Sequence, residues 1–154
     1  MKILFVCTGN TCRSSMAAGL AKDIVKKRNL EQTIEIISAG TMAWPGSPAT
    51  AQAVQALAEK NIDINDHQAS MLTDELITTA DLILTMTAGH RQQVLQKAPE
   101  TEKKVYTLCQ YAEEEGDIPD PYGQPLPVYQ ACAARLEQLI TKALDKIINN
   151  AGKK

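Results

Sequence analysis

Apolar and polar positions follow two rhythms along this chain: short unbroken apolar runs, and longer stretches with a single apolar face. Lys2 to Cys7 (KILFVC) is of the first kind, brief and rich in branched or aromatic residues, which predicts a strand buried on both faces. From Ser14 to Arg28 the period changes. Met16, Leu20, Ile24 and Val25 fall on one face while Lys22, Lys26, Lys27 and Arg28 fall elsewhere, the pattern of an amphipathic helix. Further strands are predicted at Thr33 to Ser38 (TIEIIS, ended by Ala39-Gly40), Asp81 to Met86 (DLILTM) and Lys104 to Leu108 (KVYTL). Helices are predicted over Ala49 to Lys60, where Pro48 suits the start, and from Thr73, where Asp74 and Glu75 sit near the positive end. Another covers Ala88 to Lys97. A Pro-, Gly- and acid-rich loop, Gln110 to Pro127, precedes a closing amphipathic helix over Val128 to Asn149.

Strands alternating with helices predict βαβ units, hence an α/β fold: a three-layer domain with a four-stranded parallel sheet and helices on both faces. The 154 residues fit one domain, 1–154, and at 44% hydrophobic they can build a core without disulfides or metal. A net charge of −2 supplies no electrostatic footprint for nucleic acid or an anionic membrane. No apolar run approaches the ~20 residues of a membrane span, and the N-terminus lacks the pattern of a signal peptide. A cytoplasmic protein is expected. Cysteines stand at 7, 12, 109 and 132 with no C-x-x-C pair, and His67 and His90 lie far from them in sequence, so neither a disulfide scaffold nor a zinc site is expected.

Ligands of open α/β folds bind beyond the carboxyl ends of strands, near helix N-termini. That location holds Cys7-Thr8-Gly9-Asn10-Thr11-Cys12-Arg13-Ser14. Gly9 and Asn10 can take positive φ, which lets successive N–H groups converge on one anion. The following helix adds partial positive charge, and Arg13 adds a planar fork for two phosphate oxygens. The same features favour a thiolate at Cys7, a competent nucleophile beneath a phosphorus atom. Ser14 can donate to that sulfur. The spacing Cys-x5-Arg-Ser between a buried strand and an amphipathic helix is a phosphatase signature; glycine patterns of nucleotide-binding loops are absent.

A leaving group needs a proton, and the long loop offers Asp117-Ile-Pro-Asp120-Pro121-Tyr122-Gly123. Pro119 and Pro121 stiffen the backbone around Asp120, and Tyr122 can form a pocket wall. The residues alone leave Asp120 and Asp117 both open as donor, and both open as simple turn formers.

Together these residues resemble the low-molecular-weight protein tyrosine phosphatase family over nearly the whole chain: the N-terminal strand, V-C-T-G-N-T-C-R-S at 6–14, S-A-G at 38–40 and D-P-Y-G at 120–123. The resemblance implies metal-free, cofactor-free catalysis through a cysteinyl-phosphate, with Cys7 as nucleophile, Arg13 as phosphate clamp and Asp120 as general acid and then base. It implies that Asn10, Ser38 and His67 support the loop and that Cys12 can pair reversibly with Cys7 under oxidation. Threonine at position 11, where many tyrosine-directed members have isoleucine, resembles the bacterial protein-arginine phosphatase branch. Phosphorylated proteins are then the expected substrates, inorganic phosphate or vanadate the expected site ligands, and a monomer the favoured state. Ser15 departs from the family's usual proline, at some cost in helix rigidity. Trp44 reads as pocket rim or packing, His90 as a solvated helix residue, and Cys109 and Cys132 as core or helix residues without chemistry.

Two other readings use a similar start. Arsenate reductases of this fold need two further cysteines after the third strand, and residues 82–95 contain none. A phosphocarrier domain would need neither Arg13 nor a separate acid loop.

Overall fold

The computed structural model describes residues 1–151. In chain order the elements are β1 (Lys2–Cys7), α1 (Arg13–Lys27), β2 (Glu35–Gly40), α2 (Ala51–Ala58), α3 (Asp74–Thr79), β3 (Leu82–Thr85) and α4 (Ala88–Lys97). A 3-10 turn (Pro99–Lys104), β4 (Val105–Thr107), α5 (Leu108–Tyr111) and α6 (Leu126–Ala151) follow. The strands form one parallel sheet in the order β2-β1-β3-β4, so β1 is paired on both edges.

Alternation along β1 divides its side chains between two cores. Ile3, Phe5 and Cys7 join the larger one with Met16 and Leu20 of α1, Leu57 of α2 and Leu136, Leu139 and Ile140 of α6. Leu4 and Val6 join the smaller one with Ile77 of α3 and Val94 of α4. Each such side chain, fully buried, contributes about 1.5–3 kcal/mol, which is why an unbroken apolar run becomes the central strand. The sheet and its covering helices match the predicted architecture, and β1 and α4 have the predicted bounds.

Several boundaries differ from the sequence reading. β2 starts two residues late and runs on through Ala39-Gly40, because its register pairs Lys2 with Glu35 and Cys7 with Gly40. A small residue at its end reads as a terminator but is required by what it faces: a Cβ on Gly40 would collide with the Thr8 carbonyl and lie 3.0 Å from the Asn10 nitrogen. α2 is shorter than predicted since Thr50, accepting from the Ala53 N–H at 3.3 Å, caps it. The long loop is cut at both ends, by α5 under a Thr107 cap and by an α6 that begins at Leu126 with Pro127 in its first turn. The 3-10 turn over Pro99–Lys104 carries no strong pattern and was not predicted.

Candidate active site

The turn from β1 to α1 wraps around the Cys7 sulfur. Asn10 is wholly buried with φ 58°, the left-handed conformation that asparagine tolerates better than most residues. This turns its N–H toward Cys7 Sγ at 3.3 Å. Its side-chain amide is oriented by the Ser70 N–H, which donates to Oδ1 at 2.9 Å, leaving Nδ2 to donate to Ser14 Oγ (2.7 Å) and Ser38 Oγ (3.0 Å). Ser14 Oγ accepts from Asn10, which leaves its own proton free to be donated to Cys7 Sγ, 2.8 Å away, once that sulfur is a thiolate. A thiolate at this position thus has two donors within reach. His67 approaches the Asn10 carbonyl at 2.6 Å through Nε2, which must carry a proton to donate there, and burial lowers the pKa of this ring. Ser38 and His67 therefore both touch Asn10, one at its side chain and one at its carbonyl.

Helix α1 has no side-chain cap at Cys12. Its first-turn N–H groups are consequently not taken by a capping side chain, as an anion site at a helix N-terminus requires. Ser15, in place of proline, donates its hydroxyl to the Cys12 carbonyl at 2.9 Å and so ties down the same turn by another means.

Arg13 is 5% exposed and is gripped at two nitrogens: Nη1 donates to the Ile118 carbonyl at 3.1 Å, and Nη2 lies 3.5 Å from Thr8 Oγ1. Nη2 is also 3.5 Å from Asp120 Oδ2. Cys7, Thr8, Gly9, Thr11, Cys12, Arg13, Asp120 and Tyr122 line one cleft of about 210 Å³. The two candidate acids are separated by this geometry. Asp120 is on the cleft wall, its Oδ1 accepting from the Tyr122 N–H at 3.1 Å. Asp117 instead accepts from the Ala88 N–H at 2.9 Å, at the start of α4.

Three side chains depart from the sequence reading. His90 is not solvated: it is 5% exposed, with Nε2 2.8 Å from Thr8 Oγ1 and Nδ1 2.9 Å from Thr87 Oγ1. The α4 pattern placed it correctly on a helix, but its partner lies 82 residues earlier. Trp44 neither packs nor lines the cleft; it is 81% exposed on the loop whose Met42 N–H donates to the Thr8 carbonyl. Tyr129, unremarked in the sequence, is buried with its hydroxyl 3.3 Å from Cys12 Sγ, and burial together with that sulfur pushes its pKa up to about 12. Cys109 and Cys132 lie in or against the larger core. Burial raises both thiols, Cys132 to about 12, which removes thiolate character at neutral pH. Among the described residues no cluster of three His, Cys, Asp or Glu side chains is placed to hold a metal ion, and no helix is long and apolar enough to cross a membrane.

Known proteins are similar to this chain in sequence and in fold. The protein-arginine-phosphatase of Bacillus subtilis is 43% identical over 141 residues, 91% of this chain and 92% of its own. A solved YwlE arginine phosphatase from Geobacillus stearothermophilus superposes with TM-score 0.91 at 40% identity, covering 99% of this chain and 96% of that one. A solved low molecular weight protein tyrosine phosphatase from T. tengcongensis gives TM-score 0.91 at 42% identity, covering 95% of this chain and 99% of its own. The family model described as low molecular weight phosphotyrosine protein phosphatase matches residues 2–153. The chain belongs to the low molecular weight phosphotyrosine protein phosphatase family.

Proposed function

We propose that this protein is a cysteine-dependent, cytoplasmic protein phosphatase that removes the phosphoryl group from phosphoarginine in proteins. The observation that carries the substrate is Thr11, a hydroxyl on the wall of the cleft that also holds Cys7, Arg13 and Asp120. A guanidine offers N–H groups that a threonine hydroxyl can engage, and a phenyl ring offers none. The arginine phosphatases among its relatives support the same reading.

The first step is attack of Cys7 Sγ on phosphorus, with the P–N bond breaking as Asp120 protonates the departing guanidine. Arg13 and the loop N–H groups take the charge of the equatorial oxygens. Asp120, now a carboxylate, removes a proton from water. The resulting oxygen attacks the cysteinyl-phosphate, the P–S bond breaks, and phosphate leaves. The Ser14 hydroxyl, aimed at Sγ by Asn10, stabilises the thiolate as it departs. Cys12 lines the same cleft as Cys7, which supports reversible disulfide protection under oxidation.

The second reading is a tyrosine phosphatase of the same mechanism, supported by the T. tengcongensis relative. One measurement separates the two: kcat/KM on matched phosphoarginine and phosphotyrosine peptides. The expected ratio favours phosphoarginine. A ratio favouring phosphotyrosine overturns the substrate assignment and leaves the chemistry intact.

A further inference from the structure

The chemistry above gives His90 no role, yet both of its ring nitrogens are engaged at the edge of the cleft. Thr87 caps α4, its Oγ1 accepting from the His90 backbone N–H at 3.1 Å. The Thr87 hydroxyl proton is therefore available to Nδ1, 2.9 Å away. A neutral ring that accepts at Nδ1 carries its own proton on Nε2, where it meets Thr8 Oγ1 at 2.8 Å. The same oxygen is 3.5 Å from Arg13 Nη2. An oxygen that receives from both sides turns its remaining proton elsewhere, and Thr8 lines the cleft.

The segment that leads from β3 into α4 also anchors the opposite grip on Arg13. Ile118 accepts from Arg13 Nη1, and its own N–H donates to the Met86 carbonyl at 2.9 Å, next to Thr87. Asp117 holds the Ala88 N–H. One short segment, 86–90, thus reaches the guanidinium by two routes, one through the acid loop and one through His90.

We propose that His90 is a positioning residue for phosphoryl binding: through the Thr87–His90–Thr8–Arg13 chain it fixes the Thr8 hydroxyl and braces the guanidinium against the incoming phosphate. The inference rests on the phosphatase reading and deepens it. The ring state it needs is the one its surroundings enforce. Burial first, and the Arg13 charge second, lower the pKa of His90 to about 4, against the opposing pull of Asp117 and Asp120. At neutral pH the imidazole is uncharged, with one donor and one acceptor.

The test compares His90→Leu, His90→Gln, Thr8→Val and the Thr8→Val/His90→Leu double variant with the unmodified protein. Vanadate affinity, kcat and KM on p-nitrophenyl phosphate, and thermal midpoint are measured for each. His90→Leu fills the space without hydrogen bonds, and is expected to weaken vanadate binding by about tenfold and lower kcat by a similar factor. His90→Gln, whose amide reaches the Nε2 position, recovers most of that loss. Thr8→Val matches His90→Leu, and the double variant is no worse than Thr8→Val, because the chain acts as one unit. Unchanged vanadate affinity in His90→Leu overturns the proposal even if its thermal midpoint falls, since a purely structural residue would behave so. Additive losses in the double variant overturn it too. If His90→Leu does not fold, Thr8→Val decides, and unchanged vanadate affinity there is equally fatal. Failure of the unmodified protein to turn over p-nitrophenyl phosphate would sink the phosphatase reading itself, a distinct result.

Discussion

Asp117 and Asp120 are three residues apart in one loop, and what separates them is the partner each has found. Asp117 holds a helix N–H, whereas Asp120 stands on the cleft wall within 3.5 Å of Arg13. Asp120→Asn is therefore expected to lower kcat on phosphoarginine peptides by about 10²–10⁴, the usual worth of a general acid, while vanadate still binds. Asp117→Ala is expected to cost about 1 kcal/mol of stability through the lost N-terminal contact and to leave Asp120 in place. Rate measurements on both variants check the assignment; a larger kcat loss in Asp117→Ala would reverse it. Thr11 tests specificity at the same scale. Thr11→Ile removes a hydroxyl and adds apolar surface beside Cys7. The kcat/KM ratio of phosphoarginine to phosphotyrosine peptides should fall by about tenfold, the value of one hydrogen bond. An unmoved ratio would show that Thr11 does not choose the substrate.

Four helices here begin at a threonine whose hydroxyl accepts an N–H of the first turn: Thr50, Thr73, Thr87 and Thr107. Helix α1 begins at Cys12 without such a cap, and it is the one that faces the cleft. Losing a threonine cap costs about 1 kcal/mol, so Thr73→Ala and Thr87→Ala should destabilise the protein by comparable amounts in denaturant unfolding. They should differ in the site. Thr73→Ala is expected to leave vanadate affinity unchanged, and Thr87→Ala to weaken it, because only Thr87 also holds His90. Equal vanadate affinities would detach the cap from the site. The same contrast marks how far the sequence could be read. Elements set by local pattern, such as β1 and α4, were legible, as was the Cys7–Ser14 turn as a run of eight residues, although Ser38, His67 and Ser70, which hold Asn10, come from elsewhere. The neighbours of His90 were not. Its helix shows only that position 90 is helical, whereas its burial depends on Thr8 arriving from β1 across the sheet. The end of β2 was not legible for a related reason, since what Gly40 must avoid is the backbone of Thr8, in the turn that follows β1.

At the scale of the whole molecule, the two histidines make folding sensitive to acid. Burial is the main cause of the lowered pKa of both rings; Lys22 adds to it at His67 and Arg13 at His90, while Asp117 and Asp120 oppose it at His90. Once the pH drops below the ordinary histidine value of 6.5, the unfolded chain takes up protons on imidazoles that the folded chain keeps neutral. Stability rises with pH wherever the unfolded state binds more protons, so here it must fall as pH falls from about 6.5. The His90 contribution levels off near pH 4, where the folded ring is protonated as well. Glu114, held below its usual range by Lys142 and Arg135, adds a further loss toward lower pH. The thermal midpoint should accordingly decline between pH 7 and 4.5, and His90→Gln, which cannot titrate, should decline less steeply. A variant that keeps the full slope would remove His90 from the account and leave His67 as the source. The two rings contact Thr8 and Asn10, the residues on either side of Gly9, so this acid sensitivity is seated beside the turn that surrounds Cys7. Binding of vanadate or phosphate, which favours the folded loop by mass action, should raise the midpoint at each pH and most visibly where the histidines have weakened it.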